Sequence, residues 1–280
     1  MNRVAFFLSF LVLFLCLSAM EVQAQQMPIL PDLGIGSDEG PHPQDVTITL
    51  QLLFLLTILS LLPSIAVMTT SFIRISIVLS FVRRAIGTQQ TPSNEIIVGL
   101  SLFLTFYVMT PVFEKMYNSA IQPYLNNEIA ALNPGDKNPF GEIVEEHVPP
   151  FYVMLQRSII PLREFMWNQI GETGASDVGI MMSIARMEKP EVENDVPTHV
   201  LIPSFMISEL KKAFMMGFMI FVPFLILDIV TSSVLISMGM FQLPPAFISL
   251  PFKILLFVLV DGWSVLIRSL GLSFYQNMPV

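Results

Sequence analysis

The chain has 280 residues, of which 53% are hydrophobic and 13% charged, with a formal net charge of −8. Soluble domains carry about 25% charged residues, so this composition excludes an ordinary soluble fold. Basic residues gather only in the pairs Arg83-Arg84 and Lys211-Lys212, which excludes a phosphate-binding nucleic-acid surface.

In chain order, the first apolar run is Val4 to Met20. It follows Arg3 and precedes the small-residue site Val22-Gln23-Ala24, the pattern of a signal peptide (residues 1–24) cut after Ala24. Cys16, the single cysteine, lies inside this run, and Leu15 before it is too large for lipoprotein processing. Removal of the leader leaves no thiol for a disulfide, a metal site or a nucleophile. Residues 25–45 are rich in Pro, Gly and acidic side chains and predict a mobile exported tail.

Residues 46–113 predict a first hydrophobic helical hairpin. Ile48 to Met68 is uncharged and long enough for a span of about 20 residues, with Pro63 placed to bend it. Thr69 to Gly87 stays apolar but admits Arg74, Arg83 and Arg84; Thr91-Pro92-Ser93-Asn94 then breaks the chain before a second uncharged run, Ile96 to Phe113. An exported N-terminus sends the first helix inward and leaves Arg83 and Arg84 in a cytoplasmic turn, as the positive-inside rule prefers.

Residues 114–208 carry 13 acids against 6 bases and predict a helical segment on the periplasmic side. Phe151, Met154, Leu155, Leu162, Phe165, Met166 and Ile170 recur at helical spacing, with Pro161 at a helix start or kink. Asn133 to Asp136 and Glu188 to Pro197 read as loops. Residues 209–280 predict a second hairpin, with spans Ala213 to Met238 and Ala246 to Ile267 joined by a tight re-entrant turn over 239–245, where Pro244 and Pro245 end any helix. The fold class is therefore an all-α membrane protein: two hydrophobic helical hairpins with a helical extracytoplasmic segment between them.

An ionisable side chain inside an apolar span costs about 2.5 kcal/mol or more on insertion scales, so it requires a partner or a watery cavity. Arg74, Glu209, Asp228, Lys253 and Asp261 are such residues. They either line a proton or substrate path or form ion pairs that lock helices or subunits together; the cost of unpaired charge favours the locks, with Lys253 paired to a carboxylate of another helix. Lys253 and Asp261, eight positions apart, sit two turns apart on one ideal helix and cannot bond directly. Met215, Met216, Met219, Met238 and Met240 cluster in the second hairpin. Most of them read as packing, while Met240 in the proline-bounded turn supplies a soft, deformable tip.

Enzyme motifs are absent. No Gly-rich loop ends in Lys-Ser or Lys-Thr, and His42, His147 and His199 are scattered in polar sequence without metal-ligand spacing. No cofactor or metal is expected.

Three stretches, Met68 to Gln90 (MTTSFIRISIVLSFVRRAIGTQQ), Ser208 to Phe218 (SELKKAFMMGF) and Leu243 to Trp263 (LPPAFISLPFKILLFVLVDGW), closely resemble the FliP family, the flagellar counterpart of the SctR subunit of injectisomes. The resemblance extends over nearly all of the chain beyond Asp45. It implies a core subunit of the type III export gate in the bacterial inner membrane and flagellar basal body. There a homo-oligomer, a pentamer, joins FliQ-like and FliR-like subunits in a helical assembly around a pore for unfolded protein. The helices of that assembly tilt into a cone, so the apolar runs need not be simple bilayer spans. Energy would come from a cytoplasmic export ATPase and a proton-coupled export subunit. The family's methionine-rich pore loop falls on Met240, Phe241 and Gln242, and Phe241 and Gln242 stand where methionines are usual. Two other readings remain: an injectisome SctR-type subunit, which usually lacks a leader, and an ion or small-solute transporter using Asp228, Lys253 and Asp261 as a relay.

Overall fold

The computed structural model describes residues 43–88, 91–171, 174–187, 196–240 and 242–275. The predicted leader and most of the predicted tail lie outside the described residues. Among the described residues the chain is helical, with three helices long and apolar enough to cross a membrane, or four if one bent pair counts as a span. The chain divides into two compact units after Ser60.

Helix α1 (Pro43–Thr69) begins within the stretch read as tail, supplies the first unit and reaches into the second. Between Leu52 and Leu62 its large apolar side chains are exposed on every side, as suits a helix whose solvent is lipid. Pro63 lies inside the helix without ending it.

Helix α2 (Phe72–Ile86) is amphipathic and buries Ile75, Val78, Leu79, Val82 and Arg74, ending on Gly87 in a left-handed cap at φ 84°. The stretch 69–87 is thus not a continuation of the first span but a separate helix at the centre of the core, packed on α3 and α7. Helix α3 (Asn94–Met116) starts at Ser93, whose hydroxyl accepts from the Ile96 amide, the usual cap chemistry. It runs through a π-helical turn (Tyr117–Ile121) into the short α4 (Gln122–Leu125).

Residues 126–149 are not helical. Two antiparallel bridges, Leu132 to Val148 and Lys137 to Ile143, fold this excursion back on itself around the turn at Gly141, where φ is 89°. Helix α5 (Pro150–Ile170) starts after Pro149, and Pro161 lies buried in its interior. Its Phe165, Met166 and Ile170 join the core, whereas Phe151 and Leu155, on the same predicted face, are exposed and Val153 is buried instead. Helix α6 (Ala175–Ile184) packs on α7.

Helix α7 (Thr198–Ser237) has 40 residues and at 1.5 Å per residue extends about 60 Å, twice a hydrocarbon core. Its first turns, read from sequence as the end of the polar segment, are continuous with the third span; Pro203 and Pro223 lie inside it. Gly217 lets α2 approach closely, since a Cβ there would stand 2.6 Å from the Phe81 ring. Helices α8 (Pro245–Leu259) and α9 (Gly262–Tyr275) bend by 62° at a break, so the fourth run is not one straight span. The cause is local: Asp261 adopts φ 52°, and a Cβ on Gly262 would stand 2.3 Å from the Phe257 ring, which packs edge-on against Trp263 at 5.3 Å. The Asp-Gly-Trp sequence is what turns the chain.

Candidate functional site

Arg74 is almost fully buried, 1% exposed, and its guanidinium is spent on partners from three other helices. Its Nε donates to Glu209 Oε2 at 2.8 Å and a second nitrogen bonds Glu209 Oε1. Further donors reach Gln169 Oε1 of α5 at 3.0 Å and Ser273 Oγ of α9 at 3.1 Å. The Phe274 ring lies 3.9 Å beneath the guanidinium carbon, close enough for a cation–π contact. Gln169 in turn donates to the Phe274 carbonyl at 2.9 Å, and Lys212 bonds the Gln169 carbonyl and stands 3.9 Å from Glu209. A fork of planar donors suits this arrangement as an ammonium would not.

Asp228 and Lys253 make a second pair. Lys253 Nζ donates to Asp228 Oδ2 at 2.6 Å, and the buried Ser249 hydroxyl donates to Asp228 Oδ1 at 2.6 Å. Lys253 is buried, and the Asp228 side chain is 34% exposed. A Cβ added at Gly87 would stand 3.7 Å from Lys253 Nζ, so the ammonium also neighbours the C-terminus of α2, where the helix dipole favours a cation. The cluster therefore ties α8 to α7 and to the end of α2.

Asp261, on the bend, is exposed and has no ion pair among the described residues. The five charges singled out from sequence thus fall into two separate pairs and one solitary acid, without a continuous relay.

The turn between α7 and α8 has its own stop signal. The Met238 amide bonds the Val234 carbonyl, Gly239 (φ 77°) bonds Ile236, and the Met240 amide reaches back to Leu235 at 3.0 Å. These are the reverse bonds of a glycine-terminated helix cap, and they fix the Met240 backbone at the end of α7. Met240 is 38% exposed and Gln242 is exposed; Phe241 lies outside the described residues. Pro244 then opens α8, its carbonyl accepting from Phe247. Of the other methionines, Met215, Met219 and Met238 are exposed, and Met216 packs against the core.

His147 and His199 are exposed, His42 lies outside the described residues, and no group of three or more metal-ligating side chains occurs among the described residues. Sequence reading missed Gln169, Ser249 and Ser273. Gln169 had a usable signal, because it falls three and four residues after Met166 and Phe165 on an otherwise apolar face.

Comparison with known proteins covers most of the chain. The FliP family matches residues 55–270. The flagellar biosynthetic protein FliP of Bacillus subtilis is 46% identical over 232 residues, 83% of this chain and 95% of that one. Its counterpart in Aquifex aeolicus is 42% identical over 262 residues, 93% of this chain and 97% of that one, and that of Borreliella burgdorferi is 44% identical over 230 residues, 82% and 83%. The buried Arg74–Glu209 node, the Gly217 contact and the Asp261-Gly262 bend all fall within the matched residues, and the chain belongs to the FliP family.

Proposed function

We propose that this chain is a core pore-forming subunit of the flagellar type III protein export gate, passing unfolded flagellar proteins across the bacterial inner membrane. The observation that carries the reading is the identity to flagellar biosynthetic proteins over nearly their whole length. In this reading the chain works as a homo-oligomer, a pentamer, with FliQ-like and FliR-like subunits, and its N-terminus and central segment face the periplasm. A proton-coupled export subunit and a cytoplasmic ATPase supply energy, and the chain makes and breaks no bond.

The α7–α8 turn is the seal. Met240, Phe241 and Gln242 from each copy ring the narrowest part of the pore. Apolar rings dewet and close a channel, while flexible thioethers move aside for a threading chain. Support comes from the cap at Gly239, which holds Met240 partly exposed beyond the end of a 40-residue helix. Arg74–Glu209 and Asp228–Lys253 hold the subunit's helices at fixed angles so that the turns can converge. Deletion of the gene should abolish motility and export of flagellar building blocks while leaving secretion of injectisome effectors intact. Intact motility would refute the flagellar assignment.

A further inference from the structure

Residues of α2, α7, α8 and α9 enclose an apolar cavity of about 320 Å³. Val78, Phe224, Leu266 and Leu270 on its wall are buried, whereas Val260 and Val265 are more than half exposed and mark its mouth. The cavity follows from the bend. Two arms that diverge by 62° at Asp261-Gly262 cannot both lie along one neighbouring helix, and the gap is left beneath the elbow, facing Pro223 of α7. Protein interiors are close-packed, and a lining without partner atoms forfeits its dispersion contacts. Water is a poor filler, because a buried water requires about two to four polar partners and Ser269 is the one polar side chain on the wall.

We infer that this cavity holds an acyl chain of an anionic membrane phospholipid whose phosphate is bound by Arg268. Charge complementarity selects the occupant. Arg268 follows Ile267, the last residue of the fourth apolar run, adjoins Ser269 and lies one turn beyond Val265. It is exposed and has no ion pair or hydrogen bond among the described residues. A base just past an apolar run belongs at the level of the lipid headgroups, where a guanidinium offers a phosphate two parallel hydrogen bonds. Ser269 is exposed on the cavity wall, and its hydroxyl is a donor for the ester carbonyl that joins the chain to the headgroup. A free phosphate would occupy Arg268 and leave the cavity empty, while an apolar side chain would fill the cavity and leave the arginine alone. An amphiphile with an anionic head meets both demands, and the membrane supplies it. The inference requires that the chain sit in a membrane and does not depend on the export-gate reading.

The test uses the full chain with Trp167→Phe, which leaves Trp263 as the one tryptophan. It is reconstituted into phosphatidylcholine vesicles that contain a small fraction of phosphatidylglycerol or phosphatidylcholine brominated on the acyl chains. Bromine quenches tryptophan fluorescence at close range, and Trp263 packs against Phe257 of the cavity wall at 5.3 Å. Brominated phosphatidylglycerol should quench about fivefold more effectively, the preference that one arginine at a membrane surface gives. Excess inorganic phosphate should leave that preference unchanged. Arg268→Gln should erase it, and so should Val265→Phe with Ser269→Phe, two exposed positions where added rings block the mouth. Equal quenching by the two lipids overturns the site, as does a preference that survives Arg268→Gln or the blocked mouth. Loss of the preference on adding inorganic phosphate means that Arg268 binds a free anion and overturns it too. A preference absent from the oligomer isolated on native gels, but present in the single chain, means that a neighbouring copy fills the cavity, which also overturns it. Each of these outcomes leaves the export-gate reading to its own test of motility.

Discussion

Arg74 and Glu209, 135 residues apart in sequence, meet in the interior with side chains 1% and 0% exposed. Neither can serve as a contact to another molecule. They are an internal lock, joining α2 to α7 and, through Gln169 and Ser273, to α5 and α9.

Removing one partner of such a pair strands a buried charge, at a cost of about 3–5 kcal/mol. Arg74→Ala should therefore leave little folded protein in the membrane. Arg74→Lys should recover only part of the loss, because one ammonium cannot reach Glu209, Gln169 and Ser273 together. Thermal unfolding of detergent-solubilised protein is the check; equal stability of Arg74→Lys and wild type would contradict it.

Lys253 and Asp228 should tolerate exchange better than removal. Lys253→Asp places two carboxylates beside Ser249 and should reduce the assembled complex at least tenfold. Adding Asp228→Lys should bring back a measurable part of it. The quantity to follow is complex recovered on native gels, and an absence of any recovery would remove the pair from its role as a lock.

Close approach of α2 and α7 depends on Gly217. Gly217→Ala forces the Phe81 ring to move and should cost about 1–3 kcal/mol, as overpacking does. Adding Phe81→Leu should return part of that. A melting temperature unchanged in Gly217→Ala would mean that the ring has room to shift.

At the proposed seal, Met240→Ala combined with Phe241→Ala should leave assembly intact and make the gate leaky. Ion or small-solute flux across membranes holding the assembled variant gives the readout. Unchanged permeability would take the seal away from this turn.

Much of the architecture was legible from sequence because apolar runs and proline-bounded turns are local signals. The turn at 239–245 is an example: Gly239 and the two prolines dictate where α7 stops and α8 starts, and both stop and start occur there. Helix α2 was harder, since its apolar face has the composition of a membrane span and only packing distinguishes a buried helix from a lipid-facing one. The α8–α9 bend was hidden for a different reason. It depends on the fit of the Phe257 ring over Gly262, a contact between residues that an apolar run does not single out. Polar partners such as Ser249 and Ser273 are ordinary helix residues in sequence and acquire meaning only when Asp228 and Arg74 arrive from elsewhere.

The central claim is that the α7–α8 turn lines the path of an exported chain. A photoreactive residue at Gln242, in cells carrying an export substrate fused to a tightly folded domain that stalls in transit, tests this most directly. The account predicts a covalent adduct between the chain and the stalled substrate, lost when the substrate is absent. Export-competent gates that give no adduct from Gln242 would contradict it.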